Sequence, residues 1–336
     1  TQGTSQITRT AEPGARLARF AFQLFPIYTA LTLGLWVALL IAGDAATPGL
    51  IHAMGTLSTS GISGQTALGT DGSGVVGEVL ILAFLVFAIT RRAMPGTGLS
   101  ENRQPLFGDP ELRLAGLILL AVALILFFRH WIAADASVTP VENGQALPSF
   151  WGVLFTATSF LTTTGYISTE WHNGAAWSGV GTPGMVLLAL AIIGGGTATT
   201  AGGVKLLRVY ALLRHGEREL ERIIHPNSIG RGGTGARRLR REGAQLAWVF
   251  FMLFAVSVAV TTALLTLLDV AFEPALVLAI AALTTTGPLA EVGAAQPISY
   301  AALSDTVKAV LGLAMIVGRL ETLALLALIL PGRSRG

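Results

Sequence analysis

Cysteine is absent from this 336-residue chain, and histidine occurs only five times, at scattered positions. Without cysteine the chain has no disulfide, no thiolate metal site and no cysteine nucleophile. The histidines form no group with the spacing of metal ligands. These absences exclude most metal chemistry and one large class of covalent catalysis.

Charged side chains are also scarce. They make up 12% of the residues, while 52% are hydrophobic, and that charged share is about half of what soluble domains carry. The composition therefore predicts a membrane protein. A net charge of +3 and a pI near 9.7 could indicate nucleic-acid binding, but the basic residues lie in loops beside apolar spans, where they set orientation. We expect no nucleic-acid partner.

One short phrase, three hydroxyl residues followed by glycine, occurs three times, at Ser58–Gly61, Thr162–Gly165 and Thr284–Gly287. Each copy lies between apolar stretches long enough to cross a bilayer, and a loop at that depth must line water or protein. Glycine there lets consecutive carbonyl oxygens turn toward one axis and replace the water around a small cation. The hydroxyls can bond local backbone and steady the loop. The phrase therefore predicts an ion filter.

The chain divides into three units of one pattern: a span, an apolar half-span, the phrase and a returning span. We predict these pore units at residues 20–95, 114–213 and 243–331. The half-spans are Leu50–Leu57, Phe150–Leu161 and Pro274–Leu283. The remaining segments are a lead-in at 1–19, loops at 96–113 and 214–242, and a tail at 332–336. Such repetition predicts a pseudo-symmetric, all-helical membrane architecture.

The basic residues predict the orientation. Of 22 Lys and Arg residues, 19 fall in the opening, the two loops between units with their helix ends, and the tail. Basic loops are typically cytoplasmic, so the filter phrases are expected toward the outer face. The loop at 214–242 is also typical of a patch that binds anionic lipids.

The returning span of the second unit is interrupted by a glycine-rich run. Five of the ten residues Gly194–Gly203 are glycine, and each costs a helix about 1 kcal/mol relative to alanine. We predict a broken helix with a loop inside the membrane. Close helix packing needs only small residues spaced in turns, so a continuous run favours a movable gate below the filter. The run is not a phosphate loop, because Val204 precedes Lys205 where a Walker motif requires glycine.

Two charged residues accompany the gate. A charge within a span is costly and indicates a functional site by default. Arg319 either repels cations beneath the filter or pairs with a carboxylate such as Glu321 and stabilises only the fold. Lys205 is either part of the gate or a solvated charge at the membrane edge.

Four features together resemble the Trk/Ktr-type potassium uptake subunits. They are the filter phrases, the run Ile193–Lys205, the stretch Arg218–Pro226 and the sequence Gly318–Glu321. The last three in this order are specific, whereas a lone Thr-Thr-Gly is not. The resemblance extends from about Thr8 to Pro331.

The resemblance implies helix–pore loop–helix units around a pseudo-fourfold axis, with three of the four units in this chain, and inward transport of K⁺. It places the carbonyl-lined K⁺ filter at Ser58, Thr59, Ser60, Gly61, Thr163, Thr164, Gly165, Tyr166, Thr285, Thr286 and Gly287. It places the gate at Gly194, Gly195, Gly196, Thr199, Thr200, Gly202, Gly203, Lys205 and Arg319. No enzymatic step and no covalent cofactor are implied.

The resemblance also implies partners and a location. We expect a homodimer that receives a cytoplasmic, nucleotide-binding regulatory subunit and contacts membrane lipids. The expected location is the bacterial inner membrane, as a multi-pass protein.

The chain departs from the family in two ways. The family has four units and this chain has three, with the first one missing, so we expect either a truncated chain or a divergent three-unit protein. The last phrase, Thr286–Ala290, lacks a second glycine that many relatives carry after the proline. The third quarter of the filter need not share the geometry of the others.

Two alternatives stand beside the transport hypothesis. Because three units do not surround an axis, the chain could be a non-conducting scaffold or sensor, or a pore fragment. The sequence Gly61–Gly64 also matches the Gly-x-Ser-Gly phrase of rhomboid-type intramembrane proteases, which would make Ser63 a nucleophile. That reading needs a histidine base. His52 lies in the preceding half-span and the other histidines lie near span ends or in loops, so we expect no positioned base.

Overall fold

A computed structural model describes residues 13–63, 72–90, 108–132, 146–197, 199–224 and 234–320. In these ranges the regular elements are helices, without a strand. The α-helices in chain order are α1 (Pro13–Ala42), α2 (Ala46–Ser58), α3 (Gly74–Ile89), α4 (Pro110–Ile132), α5 (Ala146–Leu161), α6 (Trp171–Ser178), α7 (Gly184–Ile193), α8 (Leu206–Ile224), α9 (Thr234–Thr266), α10 (Phe272–Thr284), α11 (Leu289–Val292) and α12 (Asp305–Arg319).

The helices repeat one order three times. A long helix, a short pore helix and a returning helix form unit 1 (α1, α2, α3), unit 2 (α4, α5, α7) and unit 3 (α9, α10, α12). The first helix of each unit is long and apolar enough to cross a membrane, over Leu24–Ala42, Pro110–Arg129 and Gly243–Thr266. The pore helices have 13 to 16 residues, which is too short for that.

The returning helix of unit 2 is broken where the sequence predicts it. Helix α7 ends at Ile193 and α8 begins at Leu206, and the described residues between them are not helical. The returning helix of unit 3 is described as far as Arg319, and the predicted continuation to Leu330 lies outside the described residues. The short helix α6, which follows the second phrase, was not predicted.

The pore helices form the centre and the long helices surround them. Ten of the 16 residues of α5 and nine of the 13 residues of α10 are buried. In contrast, α1 and α9 expose large apolar side chains such as Ile41 and Leu246, at 83% and 58%. Such an apolar surface is suited to contact with lipid tails. The arrangement therefore carries the three polar phrases into the middle of the molecule.

Candidate functional site

The three pore helices end in the same backbone turn. The second hydroxyl residue of each phrase, Thr59, Thr163 or Thr285, is left-handed, with φ of 51°, 56° and 57°. A side chain in this region costs roughly 1–2 kcal/mol. The next amide in each phrase donates to a carbonyl five residues earlier, as Thr164 N does to Ser159 O at 2.9 Å. This bond satisfies a carbonyl at the helix end and offsets the strain.

The hydroxyl groups repeat as closely as the backbone. In each phrase the first hydroxyl donates to the carbonyl four residues earlier and contacts the third hydroxyl at 3.0 to 3.1 Å. The pairs are Ser58 with Ser60, Thr162 with Thr164, and Thr284 with Thr286. The hydroxyls therefore hold each turn locally, in the way the sequence predicts.

The structure brings the three phrases together. We call them loop 1 (Ser58–Ser63), loop 2 (Thr162–Ser168) and loop 3 (Thr284–Pro288). A Cβ on Gly61 of loop 1 would overlap the carbonyl oxygen of Thr164 in loop 2. A Cβ on Gly165 would lie 3.0 Å from Cδ of Pro288 in loop 3. Loops 1 and 2 are therefore in contact, and so are loops 2 and 3.

The loops differ beyond the hydroxyl residues. Gly61 and Gly165 have φ of 61° and 84°, in the region that favours glycine, whereas Gly287 is not left-handed. The carbonyl of Gly287 instead accepts a hydrogen bond from the Tyr300 hydroxyl at 2.9 Å. Burial, with a contribution from the Glu291 charge, raises the pKa of Tyr300 to about 12. The hydroxyl therefore stays a donor at physiological pH, and loop 3 has its own geometry.

Loop 2 is fastened to both units 1 and 2. Tyr166 is 3% exposed, and its hydroxyl donates to the carbonyls of His52 and Ile62 at 3.3 and 3.4 Å. Its backbone amide donates to Ser159 Oγ of its own pore helix at 2.6 Å. The aromatic ring thus links the second filter loop to the first pore helix.

Sequence reasoning missed one residue of this region, Glu78 in α3. The carboxylate is fully buried and accepts hydrogen bonds from Ser168, Thr169 and Trp151. It joins unit 1 to the outer end of loop 2. The signal was present in the sequence, because an acidic residue inside an apolar span indicates a functional site.

The glycine-rich segment, Gly194–Lys205, lies directly against the filter loops. The Gly202 amide donates to Thr163 Oγ1 at 2.6 Å, and the Thr200 hydroxyl donates to the Leu57 carbonyl at 3.1 Å. A Cβ on Gly202 would overlap the carbonyl oxygen of Thr284. One segment of unit 2 therefore touches the ends of all three pore helices.

The remaining gate residues of that segment hold it to unit 1 or to itself. The Gly196 amide and the Thr199 hydroxyl donate to the Ala88 carbonyl at 2.9 and 3.0 Å. Gly194 and Gly203 pack on each other, where a Cβ on either would collide. A Cβ on Gly195 would likewise collide with the carbonyl oxygen of Ala88.

Two cationic side chains, Arg319 and Lys205, lie at the glycine-rich segment. Arg319 donates to the Thr200 carbonyl at 2.7 Å and to the Ser58 carbonyl at 3.4 Å. It can do so because Gly318 packs its Cα against the Leu283 carbonyl, where a Cβ would collide. Lys205 is 5% exposed and donates to the Ala201 carbonyl, so of the two alternatives for this residue the solvated charge at the membrane edge is wrong. Glu321, the predicted partner of Arg319, lies outside the described residues.

A cavity of about 130 Å³ opens beside these cations. Its lining residues come from the glycine-rich segment, α8, α9, α10 and α12, and include Lys205, Arg208, Phe250, Leu283 and Arg319. The glycine-rich segment therefore borders free space on one side and the filter loops on the other, which gives it room to move.

One histidine lies beside Ser63, the residue that the protease alternative would make a nucleophile. His52 Nε2 lies 3.0 Å from Ser63 Oγ, and His52 Nδ1 lies 3.8 Å from Asp44 Oδ2. The three groups have the order of a hydrolase triad. The second distance is too long for a hydrogen bond, however, so the histidine is not oriented as a base would be.

Comparisons with known proteins agree on one family. The model of the TrkH family, described as cation transport protein, matches residues 76–331. The Trk system potassium uptake protein TrkH of Salmonella typhimurium (strain LT2) is 27% identical over 341 residues, covering 98% of this chain and 67% of that protein. TrkI of Halomonas elongata, also named a Trk system potassium uptake protein, is 28% identical over 317 residues, covering 91% of this chain and 59% of that protein.

A solved structure shares the fold. The crystal structure of the potassium transporter TrkH from Vibrio parahaemolyticus superposes with a TM-score of 0.75 at 27% identity, covering 94% of this chain and 65% of that one. The chain thus spans about two thirds of the length of the relatives it matches.

Proposed function

The chain belongs to the TrkH family of cation transport proteins, and on that premise we propose that it transports K⁺ across the membrane through a pathway lined by loops 1, 2 and 3. Membership and the helices of the described residues confirm the prediction of a helical membrane protein, and they support a function in transport rather than catalysis. The proteins it resembles are named for potassium uptake. The observation that carries the proposal is the same strained turn at three pore-helix ends that touch one another.

In this proposal the ion is held by backbone carbonyl oxygens around Thr59–Gly61, Thr163–Gly165 and Thr285–Gly287. Carbonyl dipoles replace the hydration shell, and binding stays weak enough for release. The pore helices add to this, because each ends at the loops and a helix C-terminus carries about −0.5 of a charge. Three such ends favour a cation where the loops meet.

The glycine-rich segment acts as the gate. It contacts the end of each pore helix and borders a cavity, so a small displacement would open or block the path below the filter. Arg319 fixes the segment to loop 1 through two carbonyl oxygens and adds a positive charge to the path. Deleting part of Gly196–Gly202 should raise basal flux, whereas a folded deletion variant with unchanged flux would assign the segment to packing.

The partners and location follow as further proposals. We infer that the protein forms a homodimer in the bacterial inner membrane and receives a cytoplasmic, nucleotide-binding regulatory subunit. Residues 213–221 of α8 are exposed and directly follow the gate, so this helix offers a route from a regulator or from anionic lipid to the gate.

A second candidate is a scaffold or sensor that does not conduct. The observation in its favour is an open side of the pathway. Ile62 in loop 1 is 65% exposed, whereas Tyr166, its equivalent in loop 2, is 3% exposed. A fourth unit beside loop 1 would cover that side.

Uptake of ⁸⁶Rb⁺ into liposomes tests both candidates. The chain and the same chain extended at its N-terminus by a fourth unit are reconstituted in one orientation. Saturable uptake that K⁺ competes away supports transport, and uptake by the extended chain alone shows that the fourth unit closes the pathway. No uptake by either folded protein would overturn the proposal in favour of the scaffold.

A further inference from the structure

Glu78 is a buried carboxylate that belongs neither to the proposed filter nor to the proposed gate. It lies in α3 of unit 1, an otherwise apolar helix, with no exposed surface. Its two oxygens accept hydrogen bonds from unit 2 and do not line the proposed ion pathway. Burying a carboxylate is costly unless it is fully hydrogen-bonded, so its partners should explain its presence.

Four donors from unit 2 converge on this carboxylate. Oε2 accepts from Trp151 Nε1 at 2.7 Å and from Ser168 Oγ at 2.8 Å. Oε1 accepts from the backbone amide and the hydroxyl of Thr169 at 2.8 and 3.2 Å. Trp151 belongs to the pore helix α5, while Ser168 and Thr169 lie at the outer end of loop 2.

The geometry of these contacts suits the carboxylate as an acceptor. Indole and backbone N–H groups only donate. The Ser168 hydroxyl accepts from the Glu170 amide at 3.2 Å, which leaves its own proton for Glu78. Each carboxylate oxygen therefore receives two hydrogen bonds.

These bonds hold one end of loop 2, and loop 2 contains part of the proposed filter. The inner end of the loop is fixed by the turn at Thr163 and by the bond from the Tyr166 amide to Ser159. The outer end is fixed at Ser168 by Glu78. The proposed filter residues Thr163–Gly165 end three residues before the outer anchor, so moving that anchor changes the path of the chain next to their carbonyls.

We propose that Glu78 is a positioning residue that acts across two units: its carboxylate holds the outer end of loop 2 and thereby sets the discrimination of K⁺ from Na⁺. This inference rests on the proposed function. A purely structural contact would change stability alone, whereas a positioning contact changes the ratio of permeabilities.

The test compares ⁸⁶Rb⁺ and ²²Na⁺ uptake in the form of the protein that transports. Glu78→Gln keeps the size but turns an amide N–H₂ toward donors, so the Rb⁺/Na⁺ ratio should fall at least tenfold. Glu78→Asp keeps the charge and both acceptor oxygens and should retain more of the ratio than Glu78→Gln. Trp151→Phe is the matched control, because it removes one donor and leaves both loop contacts; its ratio should change less than threefold.

A second variant keeps the test decisive if Glu78→Gln does not fold. Ser168→Ala combined with Thr169→Val removes both hydroxyl donors and leaves the carboxylate in place, and it should also lower the ratio. Uptake by the parent with an unchanged ratio in the folded Glu78 or loop variants would overturn this inference alone. No uptake by either the chain or its extended form would overturn the proposed function and this inference with it.

Discussion

Loops 2 and 3 begin with the same three threonines and end differently. Both have a left-handed second threonine and the same contact between the first and third hydroxyls. After that, Gly165 is left-handed and the chain runs on to the anchor at Glu78. Gly287 is not left-handed, its carbonyl is bonded to Tyr300, and the helix α11 follows at once.

The comparison separates two determinants of the filter. In both loops the first hydroxyl bonds to its own pore helix and contacts the third hydroxyl, so the phrase produces the same inner half in each. The outer half depends on contacts made after the glycine, which differ between units. The two glycines should therefore differ sharply in their tolerance of a side chain.

The largest expected effect is at Gly165. Gly165→Ser adds a Cβ where φ is 84° and where Pro288 would lie 3.0 Å away. Gly287→Ser adds one where no atom lies within 4 Å and φ is not positive. We expect the Rb⁺/Na⁺ permeability ratio to fall more than tenfold in Gly165→Ser, an effect of about 1.4 kcal/mol or more, and far less in Gly287→Ser.

Equal effects of the two substitutions would contradict the proposed difference between loops 2 and 3, because a left-handed glycine would then not determine the permeability ratio. The thermal unfolding midpoints of both variants serve as the control. An unchanged ratio in folded Gly165→Ser would remove Gly165 from the filter.

The next effect concerns the inner ends of the loops, where the gate attaches. Arg319 bonds loop 1 through Ser58, whereas loop 2 receives the Gly202 amide. At an effective dielectric of 20, a charge about 6 Å from a passing cation raises its energy by roughly 3 kcal/mol. Arg319→Gln should therefore speed Rb⁺ uptake about tenfold or more with little loss of stability.

The opposite result would show that Arg319 only stabilises the folded protein. If its guanidinium pairs with a buried carboxylate, removal should cost roughly 3–5 kcal/mol of stability. Flux and thermal unfolding measured on the same Arg319→Gln sample distinguish the two, since strong destabilisation without faster uptake contradicts a barrier in the path.

A smaller effect should be shared by loops 2 and 3. Thr162→Val and Thr284→Val keep the shape and remove equivalent hydrogen bonds to the carbonyls four residues earlier. Each should lower the free energy of unfolding by about 1–2 kcal/mol. Denaturant titration of both variants sharpens the comparison: similar losses support identical inner halves, and a difference above about 1 kcal/mol argues against them.

The smallest effect is expected at Tyr300. Tyr300→Phe removes the bond to Gly287, worth about 1 kcal/mol, and should change the permeability ratio less than about threefold if loop 3 contributes little to selectivity. Because burial raises the pKa of Tyr300 to about 12, the protonated hydroxyl stabilises the fold below about pH 10. That contribution is lost only as the pH rises toward 12. Parent and Tyr300→Phe stabilities should therefore differ by a constant amount between about pH 6 and 9.

Much of this arrangement could be predicted from local sequence. The three-hydroxyl phrase bonds within its own helix end, so its position in the sequence was enough to find the loops. The break after Ile193 follows from the cost of consecutive glycines in a helix. The presence of the long helices follows from apolar length alone.

The contacts between units could not be predicted in the same way. Glu78 and Ser168 are 90 residues apart, and nothing local pairs them. Tyr300 joins Gly287 through a loop whose path depends on unit 3 as a whole. His52 meets Ser63 because loop 1 folds back on its pore helix. Each of these pairings depends on how elements pack, which a reading of one segment at a time does not supply.

The central claim is that loops 1, 2 and 3 line one ion path. Its most direct test is a crystal structure of the transporting form soaked in Rb⁺, with anomalous scattering used to locate the ion. The account predicts a Rb⁺ peak on a common axis, within coordination distance of carbonyl oxygens at Thr59, Thr163 and Thr285, that K⁺ displaces. Rb⁺ bound elsewhere in a protein that still transports, with none between the loops, would contradict it.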